Sequence, residues 1–149
     1  MPTEIVPDKG SLVDRAVELI TERIQGAIAQ RGQCTLALAG GGTPKPIYEK
    51  LAQQTLPWEK LQIFWGDERY VPADHPDSNQ KMAREAWLDQ VPIPPENIHP
   101  MPTSAGDPEA DAQTHEAQLR TFFECGTGEV PRLDIILLGI PVVILFDTS

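Results

Sequence analysis

Cys34-Thr35-Leu36-Ala37-Leu38-Ala39-Gly40-Gly41-Gly42-Thr43-Pro44 is the stretch that decides the fold of this chain. Thr35 to Ala39 is a short apolar run of the kind that a parallel sheet buries on both faces. The glycines that follow can adopt positive φ and let a ligand approach the backbone. Thr43 suits a helix N-cap and Pro44 the first helical position. A strand that feeds a helix through glycines aims backbone N–H groups at open space, and the helix dipole makes that point attractive to anions. The expected ligand is a phosphate; the other reading is a tight turn that binds nothing. Two familiar phosphate loops do not fit. The dinucleotide fingerprint needs a glycine three positions after Gly42, where Lys45 stands, and no Gly-Lys-Ser/Thr run completes a Walker A loop. A small phosphorylated metabolite fits better than a nucleotide.

The flanking segments alternate between helix and strand patterns. Upstream, Glu4 to Val6 reads as a short edge strand. Ser11 and Asp14 then resemble a capping box, and Val13, Val17, Ile20, Ile24 and Ile28 line one face of a long helix that stops near Gly32. Downstream, a helix runs from Pro44 to about Gln54 with Ile47 and Leu51 inward. Leu61 to Trp65 is a second apolar strand, ending in Gly66-Asp67-Glu68-Arg69-Tyr70. Asp77-Ser78-Asn79 opens a third helix with Met82, Ala83, Ala86 and Trp87 on its apolar side. Asp107-Pro108-Glu109 opens a fourth, with Ala112, Leu119, Phe122 and Phe123 inward and Gly126-Thr127-Gly128 as its stop. Leu133 to Leu138, closed by Gly139, is a third central strand. This alternation predicts an α/β, layered domain with a mainly parallel sheet.

The totals narrow the function. The 149 residues suit one domain, and 40% hydrophobic content suits a folded one. A net charge of −10 argues against a nucleic-acid partner, which wants a basic face. Cys34 and Cys125 form no CxxC pair and read as free thiols of a reducing cytoplasm. Met1 to Gly10 lacks the pattern of a signal peptide. The near-continuous apolar run from Ile135 to Phe146 is shorter than the roughly 18 to 20 residues of a membrane span. A cytoplasmic protein without a membrane partner is the expectation.

Ligands of open α/β sheets bind beyond the carboxyl ends of the strands. Both the glycine loop and Asp67-Glu68-Arg69 lie there, so parallel neighbouring strands would face them into one crevice. Arg69 is a natural bidentate partner for phosphate. Asp67 or Glu68 could orient sugar hydroxyls or move protons; a solvated turn is the alternative. Asp77, Ser78 and Asn79 read first as a helix cap, and a shared crevice adds a role at sugar hydroxyls. His75, His99 and His115 lack metal-ligand spacing and read as surface residues. No metal or cofactor motif stands out, and no covalent nucleophile is visible.

Taken together, the residues resemble the 6-phosphogluconolactonase family. The matching segments are Leu38-Ala39-Gly40-Gly41-Gly42-Thr43-Pro44, Trp65-Gly66-Asp67-Glu68-Arg69, Asp74-His75-Pro76-Asp77-Ser78-Asn79, Ile93-Pro94-Pro95-Glu96-Asn97-Ile98-His99 and Leu133-Asp134-Ile135-Ile136-Leu137-Leu138-Gly139. Arg69 and Asn79 tilt the likeness away from the amino-sugar-phosphate deaminases, which usually show tyrosine in both places. The resemblance implies a Rossmann-like fold and metal-free, cofactor-free hydrolysis of 6-phosphogluconolactone in the oxidative pentose phosphate pathway. It implies that Gly41, Gly42 and Thr43 cradle phosphate or neighbouring oxygens, that Arg69 binds phosphate, and that Asp67 and Asn79 shape the sugar site, with Asp67 as the candidate catalytic residue. The alternatives are a glucosamine-6-phosphate isomerase-like enzyme and a non-catalytic sugar-phosphate binder.

The chain departs from the family after Gly139. There the family carries an Asp-Gly-His segment whose histidine is the proposed general base, whereas this chain reads Ile140-Pro141-Val142-Val143-Ile144-Leu145-Phe146-Asp147-Thr148-Ser149. The expectation is a single domain over residues 1–149, truncated relative to the family, impaired in turnover, with an atypical apolar tail over 140–149. Pro141 should stop that tail from prolonging the preceding strand, leaving an exposed apolar segment that favours self-association.

Overall fold

A computed structural model describes residues 8–42, 44–126, 132–139 and 142–146. Among them, helix α1 (Lys9–Arg31) leads into strand β1 (Cys34–Leu38) and helix α2 (Pro44–Leu51). Strand β2 (Leu61–Trp65), helix α3 (Asn79–Ala86), helix α4 (Pro108–Phe123) and strands β3 (Ile135–Gly139) and β4 (Val142–Phe146) follow. The sheet order is β2-β1-β3-β4. β1 pairs in parallel with β2, Leu38 opposite Trp65, and with β3, Leu36 opposite Ile135. β4 runs antiparallel to β3, Val142 opposite Gly139. The fold is the mainly parallel, layered α/β sheet that the alternating pattern predicts.

Strand alternation sorts the side chains onto two faces. Leu36, Leu38, Leu61, Ile63, Trp65, Ile135 and Leu137 belong to one core with Ile20 and Ile24 of α1, Ile47 and Leu51 of α2, Ala83 of α3 and Trp87 just beyond it. Burying each large apolar side chain contributes about 1.5 to 3 kcal/mol, so this layer dominates stability. On the opposite face Phe64 meets Phe122 and Phe123 of α4 at ring distances of 5.1 and 5.2 Å, and His99 stacks on it at 4.5 Å. The segment around Ile98 runs along β2, where the His99 N–H donates to the Ile63 carbonyl at 2.8 Å.

Asp134 ties the start of β3 to β1. Its buried carboxylate accepts from the Thr35 N–H at 2.9 Å and the Thr35 hydroxyl at 3.1 Å, and pairs with Arg31 in the last turn of α1. A buried carboxylate is tolerable only with such partners.

Several expectations shift. α1 starts earlier than Ser11: Asp8 is its N-cap and accepts from the Ser11 N–H at 2.8 Å, while Gly32 at φ 79° closes it. α4 ends at a cap on Glu124, itself at φ 54°, ahead of Gly126. The inward face of α4 carries Asp111 and His115 as well as Phe122, and Ala112 is exposed. Within the tail, residues 142–146 are not left unpaired, because β4 pairs antiparallel with β3; strand pairing satisfies backbone groups that water would otherwise have to solvate. The strand expected over Glu4 to Val6 lies outside the described residues. No described helix is long and apolar enough to cross a membrane.

Candidate active site

Because β1 and β2 are parallel neighbours, their two carboxyl-terminal loops leave the sheet side by side. The Gly66 N–H donates to the Leu38 carbonyl at 2.9 Å, which carries the pairing one step past β2. Tyr48 of α2 fixes the point where the glycine loop begins. Its hydroxyl donates to the Ala39 carbonyl at 2.7 Å and accepts from the Ala39 N–H at 3.0 Å. The ring is fully buried and stacks on Trp87. Gly41 then takes φ 96°, a conformation that disfavours side chains, and both Gly41 and Gly42 are exposed. Thr43 lies outside the described residues.

Asn79 joins the two loops. Its side-chain amide lies so close to Gly40 that a Cβ built there would sit 1.9 Å from Asn79 Oδ1. A side chain at position 40 would have to displace the Asn79 amide. The same side chain donates through Nδ2 to the Asp67 carbonyl at 3.2 Å. Ser78 caps α3 by accepting from the Lys81 N–H, and Glu68 accepts from the Asn79 N–H at 2.6 Å. The geometry therefore brings Gly40, Asp67 and Asn79 together.

The Asp67 carboxylate and the Arg69 guanidinium are exposed and make no hydrogen bond or ion pair among the described residues. Charged groups left without protein partners at a sheet's carboxyl edge are available to a ligand. Burial pushes the Tyr48 hydroxyl pKa up, its hydrogen bond to Ala39 opposes this, and the nearby Asp67 charge adds to the rise. Arg69 also lines a cavity of about 260 Å³ toward α4, together with Tyr70, Met101, Asp111 and His115. There the Tyr70 hydroxyl donates to Asp111 at 2.6 Å, fastening the β2 loop to α4. Among the described residues no cluster of His, Cys, Asp or Glu is placed to hold a metal ion.

Residues 7–140 match the family described as glucosamine-6-phosphate isomerases/6-phosphogluconolactonase. This chain belongs to that family. A 6-phosphogluconolactonase of Synechocystis sp. is 62% identical over 137 residues, covering 92% of this chain and 57% of the relative. A crystal structure of 6-phosphogluconolactonase from Thermotoga maritima is 33% identical with a TM-score of 0.75, covering 83% of this chain and 53% of that one. The 6-phosphogluconolactonase structure from Trypanosoma brucei is 34% identical with a TM-score of 0.76, covering all of this chain and 65% of that one. The chain thus spans little more than half the length of the curated relatives it matches. Its fold is the Rossmann-like one of these lactonases.

The contacts that Tyr48, Glu68, Asp111 and His115 make around the site were not legible in the sequence, although Glu68 itself was a candidate there. Tyr48 was legible only as an aromatic four residues after Pro44 in a helix; its bond to Ala39 is a tertiary contact. Glu68 grips α3 from another loop, which no local pattern encodes. Asp111 and His115 stand four apart on the inner face of α4, and their polarity disguised that face. His115 is 9% exposed, so its reading as a surface residue is corrected; burial lowers its pKa, with a hydrogen bond to Gln118 opposing. His99 is half-buried against Phe64 rather than free in solvent, and burial, with the nearby His115, lowers its pKa as well.

Proposed function

We propose that the crevice binds 6-phosphogluconolactone and that the lactonase to which this chain corresponds hydrolyses it to 6-phosphogluconate in the cytoplasmic pentose phosphate pathway, without metal or cofactor. The observation that carries this reading is Asn79, which packs on Gly40 and bonds to the Asp67 backbone and so joins the two motif loops. Gly41 and Gly42, both exposed, offer backbone N–H groups to phosphate or lactone oxygens near the amino-terminal end of α2, and Thr43 is proposed for the same role. Arg69 pairs with the phosphate through a planar fork of donors. Asp67 and Asn79 orient sugar hydroxyls, and Asp67 is the candidate to assist a proton transfer. The names of the curated relatives support the same substrate.

The sequence holds no histidine after His115, so the base proposed for the family has no counterpart in its expected place after Gly139. General-base catalysis contributes about 10² to 10⁴ in rate. The 149-residue chain is therefore expected to bind phosphorylated sugar acid and to show at most trace turnover. Lactone hydrolysis measured against a no-enzyme baseline, with glucosamine 6-phosphate as the competing substrate, tests this. Turnover like that of an ordinary lactonase would show that another residue of the chain, such as Asp67, supplies the base. Turnover of glucosamine 6-phosphate would replace the substrate assignment.

A further inference from the structure

We infer that Glu68 is the positioning residue of this site, an inference that rests on the crevice being the sugar-phosphate site. Its carboxylate accepts four hydrogen bonds. Oε1 takes the N–H groups of Arg69 at 2.9 Å and Asn79 at 2.6 Å. Oε2 takes the Gln80 N–H at 2.9 Å and the Ser78 hydroxyl at 3.3 Å. A carboxylate offers about four acceptor positions, so these donors use its capacity. Two of the donors belong to residues proposed to meet the ligand, on different segments: Arg69 in the β2 loop and Asn79 at the start of α3. Ser78, Asn79 and Gln80 are all buried, so their donors have no water to fall back on. The carboxylate also occupies the amino-terminal end of α3, where a negative charge is favoured, and so that end is not available to a substrate phosphate.

The consequence runs through Asn79 to the glycine loop. With Glu68 in place, the Asn79 amide is held between the Asp67 carbonyl and Gly40. Glutamine at position 68 would keep one accepting oxygen and turn an NH₂ group toward two donors. The start of α3 would then move away, Asn79 would leave Gly40, and the backbone of Arg69 would lose its tether. Glu68 touches no ligand in this scheme; it acts through Asn79 and Arg69.

The experiment uses the full 149-residue chain and compares wild type, Glu68→Gln, Asn79→Ala, the double variant, and Asp8→Ala, which removes an ordinary helix cap on α1. Backbone and side-chain amide spectra are read alongside titration with 6-phosphogluconate well below the melting temperature. In Glu68→Gln the resonances of Gly40 and of the Asn79 side-chain amide are expected to shift. Binding should weaken about tenfold, the low end of what removing the outer partners of metal ligands costs at metal sites. The double variant should bind within about twofold of Asn79→Ala, less than independent effects would give. Asp8→Ala should melt earlier with Gly40 and the affinity unmoved. A Glu68→Gln protein that melts earlier but leaves Gly40, the Asn79 amide and the affinity unchanged would reduce Glu68 to a helix cap and overturn the inference. If Glu68→Gln does not fold, Glu68→Asp, which keeps the charge but shortens the reach, carries the same readings. If the wild type binds no 6-phosphogluconate, the ligand assignment fails, and the Gly40 and Asn79 resonances still decide the positioning role.

Discussion

Replacing Tyr48 with Phe isolates one oxygen atom. The ring remains, with its stacking on Trp87 at 5.8 Å and its place in the core. What disappears is the hydroxyl that both donates to and accepts from Ala39, a residue only 3% exposed. The Ala39 N–H and carbonyl then lose that partner where water has little access. Leaving one buried polar group unsatisfied costs about 1 to 3 kcal/mol, so two give about 2 to 4 kcal/mol once partial relaxation is allowed. At about 2 to 4 °C per kcal/mol for a chain of this size, the melting temperature should fall by about 5 to 15 °C. Ala39 immediately precedes the glycine loop, so the affinity for 6-phosphogluconate should fall in the same variant. Thermal melting and titration below the melting point read the two effects separately. An unchanged melting temperature would refute the reasoning, because it would mean that the hydroxyl carries no net interaction there.

Three further outcomes follow from the same structure. Burial pushes the Cys34 thiol up to about 12, with Asp134 adding and Arg31 opposing, so a thiol reagent at neutral pH should modify the half-buried Cys125 and reach Cys34 only on unfolding; prompt reaction of both would contradict this. His99 and His115 have folded-state pKa values below 6.5, so the unfolded state takes up protons first as the pH falls. Their contribution to stability is present above about pH 6.5 and is lost as the pH falls toward the folded values; a melting temperature that stays flat from pH 7.5 to 5.5 would contradict it. We propose that β4, the outer strand among the described residues, templates pairing between chains, so that deleting residues 140–149 reduces association seen by light scattering without creating lactonase activity. A clean monomer at micromolar concentration before the deletion would remove that proposal.

The parts of the fold that the sequence announced are those that local physics controls. The apolar runs of β1 and β2 and the Asp107-Pro108 start of α4 each need only a few adjacent residues to be recognised. The start of α1 was harder, because Asp8 and Ser11 both suit a cap and only the hydrogen bond chooses between them. The reversal of β4 depends on a free edge of β3, which exists only once the sheet has formed. Around the candidate site, the glycine run and the Asp67-Glu68-Arg69 and Asp77-Ser78-Asn79 segments stood out by residue type and spacing. The atoms that hold them in place, the Tyr48 hydroxyl and the Glu68 carboxylate, act between one segment and the next, from nine residues away at Ala39 to 12 at Gln80. Periodicity cannot register such contacts.

In the proposed site the β1 and β2 loops form one sugar-phosphate crevice, with Arg69 as its cation. Titration of 6-phosphogluconate into the wild-type chain and into Arg69→Ala tests it most directly. The guanidinium has no protein partner among the described residues, so its removal should leave stability nearly unchanged. The loss of binding should be about 1.5 to 3 kcal/mol, the contribution of a hydrogen bond to a charged group. Equal affinity in the two proteins, both folded, would contradict the account.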